Sequence, residues 1–167
     1  MAATVDIYEW NGASGSQVAT KKTNPTANIW FRKNDSAAND NANPLTKPGA
    51  GNDRSMEKWL RARSSGSFTS IASPTFYTDG SSWGTGTNVF ARTASPGTVY
   101  ATPTIPANDS GGTDVTGLVV GSPKTLGTGT SSATDFGDYL VTWMTIGTTV
   151  VQGLVATKSL TFAWNEI

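Results

Sequence analysis

The sequence contains no cysteine and no histidine. Disulfides, thiolate zinc sites, cysteine nucleophiles and imidazole acid–base chemistry are excluded, because their atoms are missing. Charge is scarce too. Asp, Glu, Lys and Arg make up 14% of the 167 residues, against about 25% in an average soluble domain. Twelve cations balance twelve anions. No basic run is present, which argues against a nucleic-acid partner. No apolar run nears the roughly 18–20 residues of a membrane helix, so no membrane partner is expected. The opening Met1-Ala2-Ala3-Thr4-Val5-Asp6 has no basic or apolar leader region. It does not read as a signal peptide, and synthesis in the cytoplasm is expected.

What the chain holds instead is threonine (26), glycine (18) and serine (17), with sixteen aromatics that include six tryptophans. Polarity carried by uncharged side chains, together with many large rings, favours order over disorder. Threonine suits a half-exposed pleated surface, and glycine and proline supply turns. The expectation is one all-β domain spanning residues 1–167, an antiparallel sandwich of eight or nine short strands with long Gly/Thr/Asn loops. The sandwich is expected to be jelly-roll-like, with the strand order left open between jelly-roll and immunoglobulin-like topologies.

Alternation between turn clusters places strands at Thr4–Trp10, Asn28–Lys33, Asn88–Thr93, Thr98–Thr102, Val115–Val120, Tyr139–Ile146 and Ser159–Glu166. Tyr139–Ile146 is apolar on both faces and reads as the central strand. Ser55–Arg63 fits a helix through Met56, Trp59, Leu60 and Arg63, and a strand through Met56, Lys58, Leu60 and Ala62; the β context favours the strand. Pro74 splits Ser67–Tyr77 into two edge pieces. Asn34–Gly51 has no periodicity and reads as a long loop, of a length that is usually functional or disordered.

The chemistry-bearing residues offer little for turnover. Glu9, Glu57, Asp79, Asp135, Asp138 and Glu166 show no distinctive spacing for a carboxylate pair. Glu9 and Glu166 read as solvated charges at strand ends. A serine nucleophile would need a partner base, and a phosphate-binding Gly-Lys-Ser/Thr is absent. The stretch Asn34–Asn41 carries hard oxygen ligands, but not in calcium-loop order, and reads as Asx-turns. No metal and no cofactor are expected. Arg54, Lys58, Arg61 and Arg63 cluster around Trp59, as one polar strand face or a charge-complementary patch. Six tryptophans exceed what a two-sheet core needs, which places some of them at edges or on the surface. Trp30, Trp59, Trp83 and Tyr77 are the candidate rings for stacking on a sugar.

Three stretches carry a resemblance. Asp6-Ile7-Tyr8-Glu9-Trp10-Asn11-Gly12 opens the chain, Phe76-Tyr77-Thr78-Asp79-Gly80-Ser81-Ser82-Trp83-Gly84-Thr85-Gly86 lies mid-chain, and Leu160-Thr161-Phe162-Ala163-Trp164-Asn165-Glu166-Ile167 closes it. Together they resemble small virion structural proteins of tailed bacteriophages, most closely the capsid decoration, or head cement, proteins. The resemblance implies a non-enzymatic protein, assembled in the host cytoplasm, that binds the major capsid protein on the capsid surface. It also implies a homotrimer that clamps neighbouring capsid subunits. Its contact residues are then expected among Trp10, Trp30, Trp59, Tyr77 and Trp83, with Arg61 and Arg63 as charge partners for an acidic capsid surface. A tail or baseplate β-protein and a carbohydrate-binding β-sandwich module are the alternatives.

Overall fold

The computed structural model describes residues 2–22, 28–95, 97–151 and 157–167. Pro96 therefore lies outside the described residues.

Among the described residues, ten antiparallel strands form two sheets. They are β1 (Thr4–Asn11), β2 (Val18–Lys21), β3 (Asn52–Arg54), β4 (Lys58–Ser65), β5 (Ile71–Tyr77), β6 (Thr87–Thr93), β7 (Thr113–Asp114), β8 (Lys124–Thr125), β9 (Asp135–Gly147) and β10 (Thr161–Glu166). The larger sheet runs β2-β1-β4-β9-β6-β7, with β3 also paired to β9; the smaller runs β10-β5-β8. The arrangement is sandwich-like, and its strand order does not show the jelly-roll pattern. The one helical element among the described residues is a 3-10 turn at Val115–Gly117, whose Thr116 amide donates to Asp114 Oδ1 (2.9 Å).

Alternation decides what each face of the large sheet does. Ile7, Leu60, Ala62, Val89, Ala91, Phe136, Leu140, Met144 and Ile146 point inward and pack with Ile71, Phe76 and Leu126 of the smaller sheet and its flank. This is the main core. Leu140, Val89 and Phe76 are fully enclosed in it. The opposite face carries a second cluster of Trp59, Ala94, Tyr100, Tyr139 and Val141, with Trp10 packed against it. Thus β9 is apolar on both sides, because both of its sides are covered.

Three expected strands are absent. Asn28–Lys33 and Thr98–Thr102 are loop, and Val115–Val120 is the 3-10 turn followed by loop. Their alternating apolar residues pack against the core without joining a ladder: Phe31 and Val115 are buried in the main cluster and Tyr100 in the second. Alternation reported burial there, not pairing. The strand reading of Ser55–Arg63 holds from Lys58 onward. Pro74 does not divide its segment into edge pieces. It lies in β5, the middle strand of the small sheet, where the β5–β10 register shifts and Ser73 takes φ 52°. A bulge releases proline from donating to the ladder, so it is tolerated away from an edge.

A second bulge shapes β9. Leu60 pairs with Leu140, but Ala62 pairs with Phe136, so β9 carries extra residues there. Gly137 adopts φ +70° at this point, and a Cβ on it would lie 2.8 Å from the Leu126 carbonyl oxygen. The bulged amides turn outward: Gly137 donates to Thr128, Asp138 to Leu126 and Tyr139 to Gly97. One irregularity therefore ties two long loops to the central strand.

Leu140 touches the core where the sheets meet, so Leu140→Ala is expected to lower the unfolding free energy by about 2–5 kcal/mol in urea melts. A change below about 1 kcal/mol would place Leu140 in a site that collapses freely, against this packing.

Candidate functional site

The sequence-predicted residues separate into two groups. Trp10, Trp59, Arg61 and Arg63 come together on the outer face of β1 and β4. Trp30, Tyr77 and Trp83 lie elsewhere. Trp83 is 9% exposed and packs edge-on against Phe31 in the main core, 6.5 Å between centroids. Trp30 is half-buried with the Arg32 guanidinium 5.6 Å from its ring. Tyr77 is half-buried at the end of β5. Trp59 is only 3% exposed. Three of the six tryptophans, Trp10, Trp30 and Trp164, are half-buried, Trp164 on the edge strand β10, and the other three are buried. The exposed large apolar side chains are aliphatic: Val18, Val99, Ile105, Val120, Val151 and Ile167.

On the outer face, cross-strand register builds an arginine–aromatic strip. Asp6 pairs with Arg63, Tyr8 with Arg61 and Trp10 with Trp59. The Arg63 guanidinium lies 4.4 Å from the Tyr8 ring centre and 5.7 Å from that of Trp10. Arg61 lies 5.0 Å over Tyr139, and Arg92 of β6 lies 5.9 Å from Trp59. Such contacts gain from the negative face of the ring. Each arginine is also oriented by an acceptor. Arg63 Nε donates to Asp135 Oδ1 (2.6 Å), Arg61 Nε to the Gly137 carbonyl (2.9 Å), and Arg92 to Glu57 Oε1 (2.7 Å). Glu57 is itself buried and accepts from Trp59 Nε1 at 3.3 Å.

The segment between β6 and β7 covers one end of this face. Tyr100 packs edge-on against Trp59, 5.2 Å between centroids, and its hydroxyl donates to the Gly12 carbonyl (2.7 Å). Burial, with the Asp35 carboxylate nearby, pushes the Tyr100 phenol well above its ordinary range. At the other end of the segment, Asp109 accepts from Arg54 (2.9 Å), Trp143 Nε1 (2.9 Å) and Thr145 Oγ1 (2.8 Å). Burial alone would raise the Asp109 carboxyl. The hydrogen bonds from Arg54, Trp143 and Thr145 together outweigh it and hold the group below the usual carboxylate range.

A second constellation lies on the inward face of β1 and β4. Glu9 and Lys58 are both fully buried, which corrects the expectation of Glu9 as a solvated charge. Its parity with Val5 and Ile7 turns it toward the core, under the loop that follows residue 28. Lys58 Nζ lies 3.3 Å from Glu9 Oε1, and Lys22 Nζ 3.1 Å from Glu9 Oε2. The remaining donors go to the loop. Lys58 donates to the carbonyl of Ser36 (2.8 Å) and Lys22 to those of Ala37 and Asn28. Lys58 thus leaves the Arg61–Arg63 face altogether, and the expected four-cation patch divides between the two faces. Glu166, at the other end of the chain, is exposed and accepts from the Ala3 amide (2.6 Å).

The stretch Asn34–Asn41 is bound down rather than free. Asp35 accepts from Asn11 Nδ2 (2.7 Å) and the Gly12 amide, and Asp40 from Asn34, Asn43 and the Ala42 amide. Among the described residues no group of three or more Asp, Glu, His or Cys converges as a metal site would.

Sequence reasoning missed Lys22, Tyr100 and Asp109. For Glu9 and Lys58 a signal existed: each shares its parity with apolar core positions of its strand, and their charges are opposite.

Compared with known proteins, the chain matches no family model, no curated protein and no solved structure.

Asp109 gives this surface a pH dependence. A carboxyl held low in the fold stabilises it above the unfolded value of about 3.9, and that contribution disappears as pH falls through the folded value. Asp109→Asn is therefore expected to lower stability at pH 7 and to flatten the loss between neutrality and pH 2. Equal acid sensitivity in both proteins, read from denaturant midpoints against pH, would contradict the assignment.

Proposed function

We propose that this chain is a phage virion protein that works by adhesion, decorating the assembled head and bracing neighbouring capsid subunits. The observation that carries the reading is the arginine–aromatic strip on the outer face of β1 and β4. Arginine, tyrosine and tryptophan are the residues that dominate binding energy at protein contacts. Here they are half-exposed and already held in place: Tyr8, Trp10, Arg61 and Arg63 sit on paired strands, with Asp135 and Gly137 fixing the guanidinium groups. Little side-chain freedom remains to be lost on binding, which favours affinity. The resemblance of the opening, middle and closing stretches to head cement proteins supplies the class of partner, an acidic patch of the major capsid protein.

Mechanistically this is stabilisation by mass action. A protein that binds the assembled lattice and not its free subunits makes the lattice harder to dismantle. A homotrimer repeats one modest contact three times, and linkage raises the effective concentration of the second and third contacts. No cofactor enters the mechanism. Glu57 and Asp135 hold arginines in this reading, rather than exchanging protons with a substrate.

Mixing the purified protein with undecorated, expanded heads tests the reading. Saturable occupancy and a raised disassembly temperature are expected. Arg63→Ala combined with Tyr8→Ala is expected to weaken binding at least tenfold, or about 1.4 kcal/mol, while the isolated protein keeps its fold by circular dichroism. Absence of binding to any expanded head, with retention on a polysaccharide column, would overturn it.

A further inference from the structure

The buried Glu9 site contains more than an ion pair. Asn11 is the last residue of β1, two positions beyond Glu9 on the same face of the strand. The register that pairs Trp10 with Trp59 sets Asn11 opposite Lys58, the first residue of β4. One oxygen, Glu9 Oε1, receives both groups: Asn11 Nδ2 at 3.1 Å and Lys58 Nζ at 3.3 Å. The carboxamide oxygen of Asn11 is buried with no hydrogen-bond partner. A primary amine, a carboxamide and a carboxylate are thus gathered in a water-poor site, and the amide is left unsatisfied on its carbonyl side.

We propose that Lys58 and Asn11 join through an intramolecular isopeptide bond in the folded chain, with Glu9 as the proton carrier. The step balances without oxidant or cofactor. Glu9 takes a proton from the Lys58 ammonium, and the freed amine attacks Asn11 Cγ. A half-turn of the carboxamide brings Oδ1 to the protonated Glu9, which donates to it as negative charge develops there. The new Nζ–Cγ bond forms, the attacking nitrogen gives up a second proton, and the Cγ–Nδ2 bond breaks as Glu9 passes both protons in turn to the departing nitrogen, which leaves as ammonium. Lysine ammonium and carboxamide become a secondary amide and an ammonium ion.

Burial favours each part. A water-poor site keeps solvent from competing with the amine for the carbonyl carbon. Fixed juxtaposition on neighbouring strands replaces a bimolecular encounter. The reaction also removes an imbalance, since the fully buried Glu9 carboxylate faces two lysines. Once Lys58 is amidated, Glu9 and Lys22 remain as a matched pair. Asp35, half-buried at the rim, already holds the other side of Asn11 Nδ2. The inference stands apart from the adhesive reading and fails or holds independently of it.

Intact-mass measurement of the freshly folded, full chain tests it. The expected result is a mass about 17 Da below that of the sequence, one ammonia lost through nucleophilic attack on an amide. Tryptic digestion is expected to yield a branched peptide joining residues 1–21 to 55–61, uncut at Lys58. Glu9→Gln and Asn11→Ala are each expected to restore the full mass. The alanine variant serves if the glutamine variant does not fold, because Asn11 sits at a strand end. A full-mass wild-type protein would overturn the proposal. So would a 17 Da loss confined to a linear peptide at Asn11-Gly12, which is a succinimide, or a branch on Lys22 or Asn34.

Discussion

The placement of Glu9 between Lys22 and Lys58 is the constraint on which the rest of the structure depends. A carboxylate without solvent must be met by opposite charge and by hydrogen bonds, or the fold will not hold it. The sequence supplies one lysine from the strand beside it and one from just beyond β2. The same ammonium groups reach carbonyls at Asn28, Ser36 and Ala37. One buried charge therefore fixes the β1–β4 register and fastens an eighteen-residue stretch of loop, Asn34–Gly51, at its start. Removing one partner of such a group typically costs about 3–5 kcal/mol, because the others are stranded. Replacing all of them with apolar side chains would cost the loop its anchors.

The same strands have a second side. Neighbouring residues in a strand face opposite ways, so Glu9 turned inward obliges Tyr8 and Trp10 to turn outward, and Lys58 inward obliges Trp59 outward. The strip of Tyr8, Trp10, Arg61 and Arg63 is thus held from behind by the buried charge. In front, Asp135, Gly137 and Tyr139 of β9 fix the guanidinium groups. A contact surface built this way is rigid before any partner arrives. In the proposed adhesive role, such prior fixing of side chains favours repeated attachment to a regular lattice.

Much of this was legible in the residues. The all-β sandwich, the central place of Tyr139–Ile146 and the looped character of Asn34–Gly51 follow from alternation and turn chemistry alone. The nearness of Arg61 and Arg63 to Trp59 was legible, but their meeting with Tyr8 and Trp10 was not, because register is set by pairing between distant segments. The short strands β2, β3, β7 and β8 carry two to four residues each, too few for a period to show. Phe31 and Tyr100 misled for another reason. A loop that packs on a core alternates much as a strand does, and only the ladder tells them apart. Trp83 shows the same limit: a ring in a glycine-rich turn reads as a surface ring until Phe31 is found against it.

Adhesion through the β1–β4 face is the central claim, and footprinting tests it most directly. Hydroxyl radicals would be applied to the protein free and bound to intact heads, and oxidation at Tyr8 and Trp10 would be compared with that at Tyr77 on the small sheet. The account predicts protection of Tyr8 and Trp10 on the head and unchanged labelling of Tyr77. Equal labelling of Tyr8 and Trp10 in both states, with protection elsewhere, would contradict it.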